Sequence, residues 1–221
     1  RFYREHFDDV TMDDLLQLVL HEKPLSSRRP GIVLTFDDGC RTHSTVVAPL
    51  LEKYGYTGWF CVPVGLLAES ERDMPPDPHA APYMTWDQLR ALGRRHIIGC
   101  HSMTHMRLKA SLTPDEREFE IVDSKRQLEE ELGREVPVFC WVGGEEWSYS
   151  REAAETIRRA GYRLSFMTNS APIRRGTNLL QLQRTNIEAS YSLDVVKFQL
   201  SGIPDLVYAP KRNRVNRLTR A

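Results

Sequence analysis

The sequence predicts an α/β fold, a parallel β-sheet covered by helices, on three observations. Short apolar runs alternate along the chain with amphipathic stretches, the pattern of repeated strand–helix–strand units. The first run, Ile32-Val33-Leu34-Thr35-Phe36, is apolar almost throughout, as a strand covered on both faces must be. Two of the amphipathic stretches begin at capping boxes and three end at glycines, start and stop signals of helices. Repetition of this kind fits an open sheet and a closed barrel equally well.

After Phe36, the residues Val46, Val47, Leu50, Leu51 and Tyr54 share one side of a helix that Gly55 ends. Gly58-Trp59-Phe60-Cys61-Val62 is the second strand. Residues Glu69 to Pro82, rich in proline and charge, read as a surface loop. Thr85 and Gln88 form a capping box that opens a helix, and His96 to Cys100 is the next strand. Thr113-Pro114-Asp115-Glu116 is a second capping box with proline at the first helical position, and that helix runs to Gly133. Val136 to Trp141 is a strand, Arg151 to Ala160 a helix closed by Gly161, and Tyr162 to Met167 a further strand. Residues 1–29 read as an N-terminal arm and 30–210 as one domain. Residues 211–221 carry Lys211, Arg212, Arg214, Arg217 and Arg220 with no acidic residue, and read as a flexible basic tail.

Composition narrows the function classes. A chain of 221 residues, 41% hydrophobic and 27% charged, can bury a core without staples, which excludes a disordered chain or a disulfide miniprotein. No apolar stretch reaches the roughly 18 residues a membrane span needs. Thirty basic residues balance thirty acidic ones, so no global field steers the protein toward nucleic acid. The four cysteines, at 40, 61, 100 and 140, never form C-x-x-C. They read as free thiols, which points to a reducing, cytoplasmic setting.

Two clusters carry chemistry. Asp37-Asp38-Gly39 follows the first buried strand, and the carboxyl ends of parallel strands are where α/β folds place their sites. Adjacent residues there project in different directions, so the two carboxylates can serve separate roles. His101-Ser102-Met103-Thr104-His105 follows the strand ending at Cys100. Two imidazoles four residues apart can converge on one ion. With one carboxylate they make a three-ligand set of the hydrolytic zinc type, and the second carboxylate is then a candidate general base.

At these residues the sequence resembles the polysaccharide deacetylase family, carbohydrate esterase family four, from about Pro30 to Arg184. The motif T-F-D-D-G stands intact at 35–39 and H-[ST]-x-x-H at 101–105. Ile97-Ile98-Gly99-Cys100 is similar to the family's strand into the second motif, and Ser124-Lys125 and Leu128-Glu129 to its following helix. The resemblance implies a distorted (β/α) barrel of about seven parallel strands and metal-dependent removal of an N-acyl group, usually acetyl, from an amino sugar. It implies Asp37 as general base, Asp38, His101 and His105 as metal ligands, and the backbone N–H of Gly143 as oxyanion donor. Zinc suits that donor set, and cobalt or nickel can replace it.

The chain departs from the family's third motif, R-x-P-Y-G after a Phe: here Phe139 is followed by Cys140-Trp141-Val142-Gly143-Gly144. Cys140 stands where the arginine that orients the base would be, and Arg184 is a candidate to supply that charge from another strand. The late histidine that serves the family as general acid is absent, since all seven histidines lie at or before residue 105. His43 is a candidate substitute. Trp141 and Trp147 are candidates for a sugar-stacking wall. The expected substrate is an N-acylated glycan or glycolipid precursor. The competing readings are an amide hydrolase of this fold on a non-sugar substrate, and a non-catalytic carbohydrate-binding relic.

Overall fold

A computed structural model of the chain describes residues 1–21, 23–67 and 83–220. The loop expected from Glu69 to Pro82 lies outside them. The described strands are β1 (Asp8–Asp9), β2 (Gly31–Ile32), β3 (Leu34–Phe36), β4 (Gly58–Val62), β5 (Ile97–Cys100), β6 (Val138–Cys140), β7 (Leu164–Met167) and β8 (Leu182–Gln183). β1 and β2 form a separate parallel pair. The other six form one all-parallel sheet in chain order, β3-β4-β5-β6-β7-β8. The sheet is a curled, incomplete (β/α) barrel. It has six strands rather than about seven, and the first apolar run is split at Val33, giving Ile32 to the small sheet and Leu34–Phe36 to the large one.

Strand alternation sorts the core into two layers. On β4, Trp59 and Cys61 point to the inner face, where Val138, Cys140, Leu164, Phe166 and Leu182 meet them. Phe60 and Val62 point outward and join Ile98, Cys100, Phe139 and Trp141 under the helices. All five residues of β4 are buried, which is why the run reads as continuously apolar.

The covering helices begin and end where the local chemistry sets them. Helix α1 is Phe2–His6, α2 Met12–Leu20 and α3 Ala48–Tyr54. Gly55 ends α3 at φ 75°, a left-handed conformation that costs glycine little. Helix α4, Trp86–Leu92, starts at the Thr85–Gln88 capping box. Helices α5, Pro114–Arg117, and α6, Ser124–Leu132, are joined by a π-helical stretch at Glu118–Asp123, and the Thr113–Glu116 box opens the run. Helix α7 is Arg151–Arg159, α8 Leu193–Gln199 and α9 Ile203–Leu218.

Three expectations need correction. Val46 and Leu50 do not face the core: they are 57% and 53% exposed. A π turn at His43–Val47 precedes α3, and the wider turn rotates Val46 away from the predicted stripe; Leu50 lies within α3, whose buried residues are Ala48 and Leu51. Residues 1–29 are integral to the fold rather than an arm. β1 pairs with β2, and α2, capped by Thr11 and Asp14, inserts Leu15 and Val19 into the inner core. The basic segment is no frayed tail either. Residues 211–218 complete α9, where Val215 is fully buried. Lys211 donates to the Gly144 carbonyl, Arg212 to the carbonyls of Asn169, Ser170 and Asp205, and Arg214 pairs with Glu146. Among the described residues no helix is long and apolar enough to cross a membrane.

Candidate metal centre and base

Where β3 ends, the chain turns sharply: Asp38 and Gly39 hold φ of 74° and 66°. Aspartate tolerates the left-handed region better than most residues, and the turn sends Asp37 and Asp38 in different directions. Where β5 ends, the His101 N–H continues the ladder to the Val62 carbonyl. Ser102 and His105 then take positive φ, 66° and 62°. These conformations are held from outside the loop. Glu120, 2% exposed, accepts the N–H groups of Met103 and Thr104 at 2.9 Å each and the Thr104 hydroxyl at 2.5 Å. The Ser102 hydroxyl accepts the Met106 N–H.

The turn and the loop bring Asp38, His101 and His105 together. His105 Nε2 lies 3.0 Å from Asp38 Oδ1, and His101 Nε2 3.5 Å from the same oxygen. His101 Nδ1 is 2.8 Å from the Cys140 carbonyl. A carbonyl can only accept, so Nδ1 carries a proton and, in the neutral ring, Nε2 has the lone pair, the usual outer support of a ligating histidine. One ligand atom from each of the three residues falls within 4.8 Å of the others. A carboxylate oxygen and two imidazole nitrogens at that spacing fit a divalent metal of the zinc type. The imidazoles of His101 and His105 beside it hold the Asp38 carboxyl far below the ordinary carboxylate range, and Asp38 in turn raises His105.

Asp37 has a different partner. Both its oxygens accept from Arg184, at 2.7 Å each, and the same guanidinium donates to the Thr35 hydroxyl at 3.0 Å. Burial pushes the Asp37 carboxyl up, but Arg184 and His101 outweigh it and the net direction is down. Arg184 follows β8 and Asp37 follows β3, so this fork spans the open seam between the two ends of the sheet. Asp37 Oδ2 stands 3.9 Å from His101 Nε2, beside the three-residue cluster but outside it.

The other candidates are placed as follows. Gly143 has φ 80°, and a Cβ there would lie 2.8–2.9 Å from Glu145, Arg107 and Ser148. A tyrosine there, as in the usual third motif, would be strained by the left-handed backbone and would require those side chains to shift. Its neighbour Trp141 is not part of a sugar wall: it is 1% exposed and donates from Nε1 to the Ser165 hydroxyl. Trp141 extends the β6 ladder through its N–H to Phe166, and alternation turns its ring under the helices. Trp147 is 57% exposed with the Arg107 guanidinium over its ring. His43 is packed against Phe36 and Phe60, its Nδ1 is buried without a hydrogen-bond partner among the described residues, and desolvation lowers its pKa. Sequence reasoning missed Glu120. Its sequence neighbourhood is that of any helical glutamate, and only the π-helical stretch, a feature frequent at functional sites, marks it.

The family model described as polysaccharide deacetylase matches residues 26–165. The Bacillus subtilis (strain 168) protein YxkH is 22% identical over 162 residues, 73% of this chain and 53% of its own length. The chain thus spans about half the length of that relative. Among solved structures, the Streptococcus pyogenes deacetylase PplD in complex with acetate superposes with a TM-score of 0.73 at 22% identity, covering 89% of this chain and 81% of that one. The deacetylase domain of BpsB from Bordetella bronchiseptica gives 0.66 at 21% identity over 83% and 80% of the two chains. IcaB from Ammonifex degensii gives 0.67 at 19% identity over 93% and 82%. At these identities the structural likenesses establish the fold.

Proposed function

The chain belongs to the polysaccharide deacetylase family, and from that premise we propose that it hydrolyses the N-acyl group, acetyl first among candidates, of an amino-sugar unit in a glycan or glycolipid precursor. Asp38, His101 and His105 would hold a divalent metal, zinc by donor type. When bound, such an ion polarises a carbonyl and lowers the pKa of a water. Asp37 takes the proton from the attacking water, and Arg184, a positioning residue, keeps the carboxylate ionised and fixes its direction. The Gly143 N–H would be the donor to the developing oxyanion. His43, in its apolar setting, is neutral and a poor donor. Asp37 therefore returns its proton to the leaving amine.

The observation that carries the reading is the Asp37–Arg184 fork beside the Asp38–His101–His105 cluster. A metal-binding relic has no use for a carboxylate held ionised outside the ligand set. The test joins metal analysis with acetate release from a panel of N-acetylated glycans. Asp37→Asn should abolish turnover and keep the metal, because the amide cannot take a proton. His101→Ala should lose the metal. A fully metallated wild-type protein that releases no acetate from any member of the panel would instead support the relic.

A further inference from the structure

Beneath the Asp37–Arg184 fork, on the inner face of the sheet, lie two thiols that the reaction above does not use. Cys61 projects inward from β4 and Cys140 from β6, both fully buried. The strand between them carries Gly99 in register with Cys61. A Cβ at Gly99 would come within 2.8 Å of the Cys61 sulfur, so only glycine leaves the thiols free to meet across β5. The two sulfurs and one carboxylate oxygen of Asp37 all lie within 4.8 Å of one another. The chain thus holds a second set of ligand atoms, sharing no residue with Asp38, His101 and His105.

We propose that Cys61, Cys140 and Asp37 form a site for a soft, thiophilic divalent cation, and that its occupancy withdraws the base from the reaction. Donor type separates this site from its neighbour. Two sulfurs and one oxygen favour soft ions, whereas one oxygen and two imidazoles favour borderline ones. Size also fits: metal–sulfur bonds of about 2.3 Å put ligand atoms roughly 3.8 Å apart around a tetrahedral ion. Charge fits as well. In the metal-free pocket the Asp37 carboxylate balances Arg184, and burial keeps the Cys61 thiol protonated. A divalent cation that takes the place of both thiol protons, which leave to solvent, keeps the buried site neutral. A cation without affinity for sulfur gains nothing there to offset dehydration. Only the inhibitory half of the proposal rests on Asp37 being the base.

Cadmium(II) is the probe, because cadmium–thiolate bonds give an ultraviolet charge-transfer absorption that oxygen and nitrogen ligands do not. Titrating the metal-free protein should develop this band to one cadmium per chain. Cys61→Ser and Cys140→Ser should each abolish it, and having both guards against one variant failing to fold. Cys100→Ser should keep it, since that thiol lies on the outer face and donates to the Ser124 hydroxyl. No band in the folded wild type, a band surviving in both serine variants, or a band lost in Cys100→Ser would overturn the site. With the zinc-loaded enzyme, cadmium should inhibit wild type at least about tenfold more strongly than Cys61→Ser. Equal inhibition would overturn the link to the base. Should the wild type show no turnover, the spectral titration decides the site independently of the proposed activity.

Discussion

Arg184→Gln tests the charge arrangement around Asp37 without touching the three-residue cluster. The Asp37 and Arg184 side chains are 24% and 10% exposed, so the ion pair is largely buried. Removing one partner of such a pair costs about 3–5 kcal/mol, because the other charge stays behind. Partial access of water to Asp37 favours the lower end, about 3 kcal/mol, which in a protein of this length lowers Tm by about 6–12 °C at neutral pH. The sign of the pH dependence is the diagnostic part. In the wild type the folded Asp37 carboxyl lies below its unfolded value, so its contribution is complete above the unfolded pKa and is lost as pH falls through the folded one. Without Arg184 the burial that pushes Asp37 up is opposed only by His101. The folded pKa then rises, and protonation relieves the variant as the solution is acidified. Thermal melts of metal-free wild type and Arg184→Gln should therefore differ most near pH 7 and converge toward about pH 4. In the metal-loaded enzymes, the acid limb of kcat/KM should move upward in the variant. A Tm difference equal at both pH values, or an acid limb that stays in place, would refute the ion pair as the setting of the base.

Glu120→Ala orphans two N–H groups and releases the loop between His101 and His105, so zinc affinity should fall about 10–100-fold by chelator competition; unchanged affinity would remove Glu120 from the support of the site. His43→Phe preserves the packing on Phe36 and Phe60 and should keep turnover within about tenfold of wild type. A fall of about a hundredfold or more at unchanged metal content would make His43 the general acid. Trp147→Ala should raise KM on oligomeric substrate several-fold with kcat little changed, since stacking of an exposed ring is worth about 0.5–1.5 kcal/mol. Trp141→Phe should instead lower Tm and leave KM alone, its indole N–H being spent on Ser165.

The parallel sheet was legible because its strands are buried on both faces, and continuous apolar runs such as Gly58–Val62 leave little else to fit. The capping boxes at Thr85 and Thr113 were legible because both halves of each box are local in sequence. What stayed hidden depends on partners far along the chain. Residues 1–29 read as an arm because a two-residue strand and one capped helix carry little periodicity of their own; their place comes from pairing with Gly31–Ile32 and from the inner core. The basic run after Pro210 read as a tail because its charges have no local counterions. Their partners are carbonyls of the loops after β6 and β7 and the carboxylate of Glu146.

The third motif shows where reading by position stops and reading by geometry begins. At residue 140 the usual arginine is a cysteine, and by position alone Asp37 loses its counterion. The sheet is open between β3 and β8, however, and the open seam admits a side chain from the last strand that a closed ladder would exclude. Arg184 enters there and makes both hydrogen bonds to Asp37, 147 residues away in sequence. With the guanidinium delivered from β8, the side chain at 140 is free to be small, and its backbone carbonyl still fixes His101. Gly143 holds a left-handed φ of 80°, which strains any side chain, and Glu145, Arg107 and Ser148 would have to shift to admit one. The strand that gives up the arginine at 140 gains a buried thiol beside Cys61, and the loop that gives up the tyrosine at 143 leaves Trp147 the exposed aromatic ring on that turn. Cys140→Arg would place a second guanidinium against Arg184 in a buried site, a like-charge contact with no counterion beyond the one carboxylate they would share.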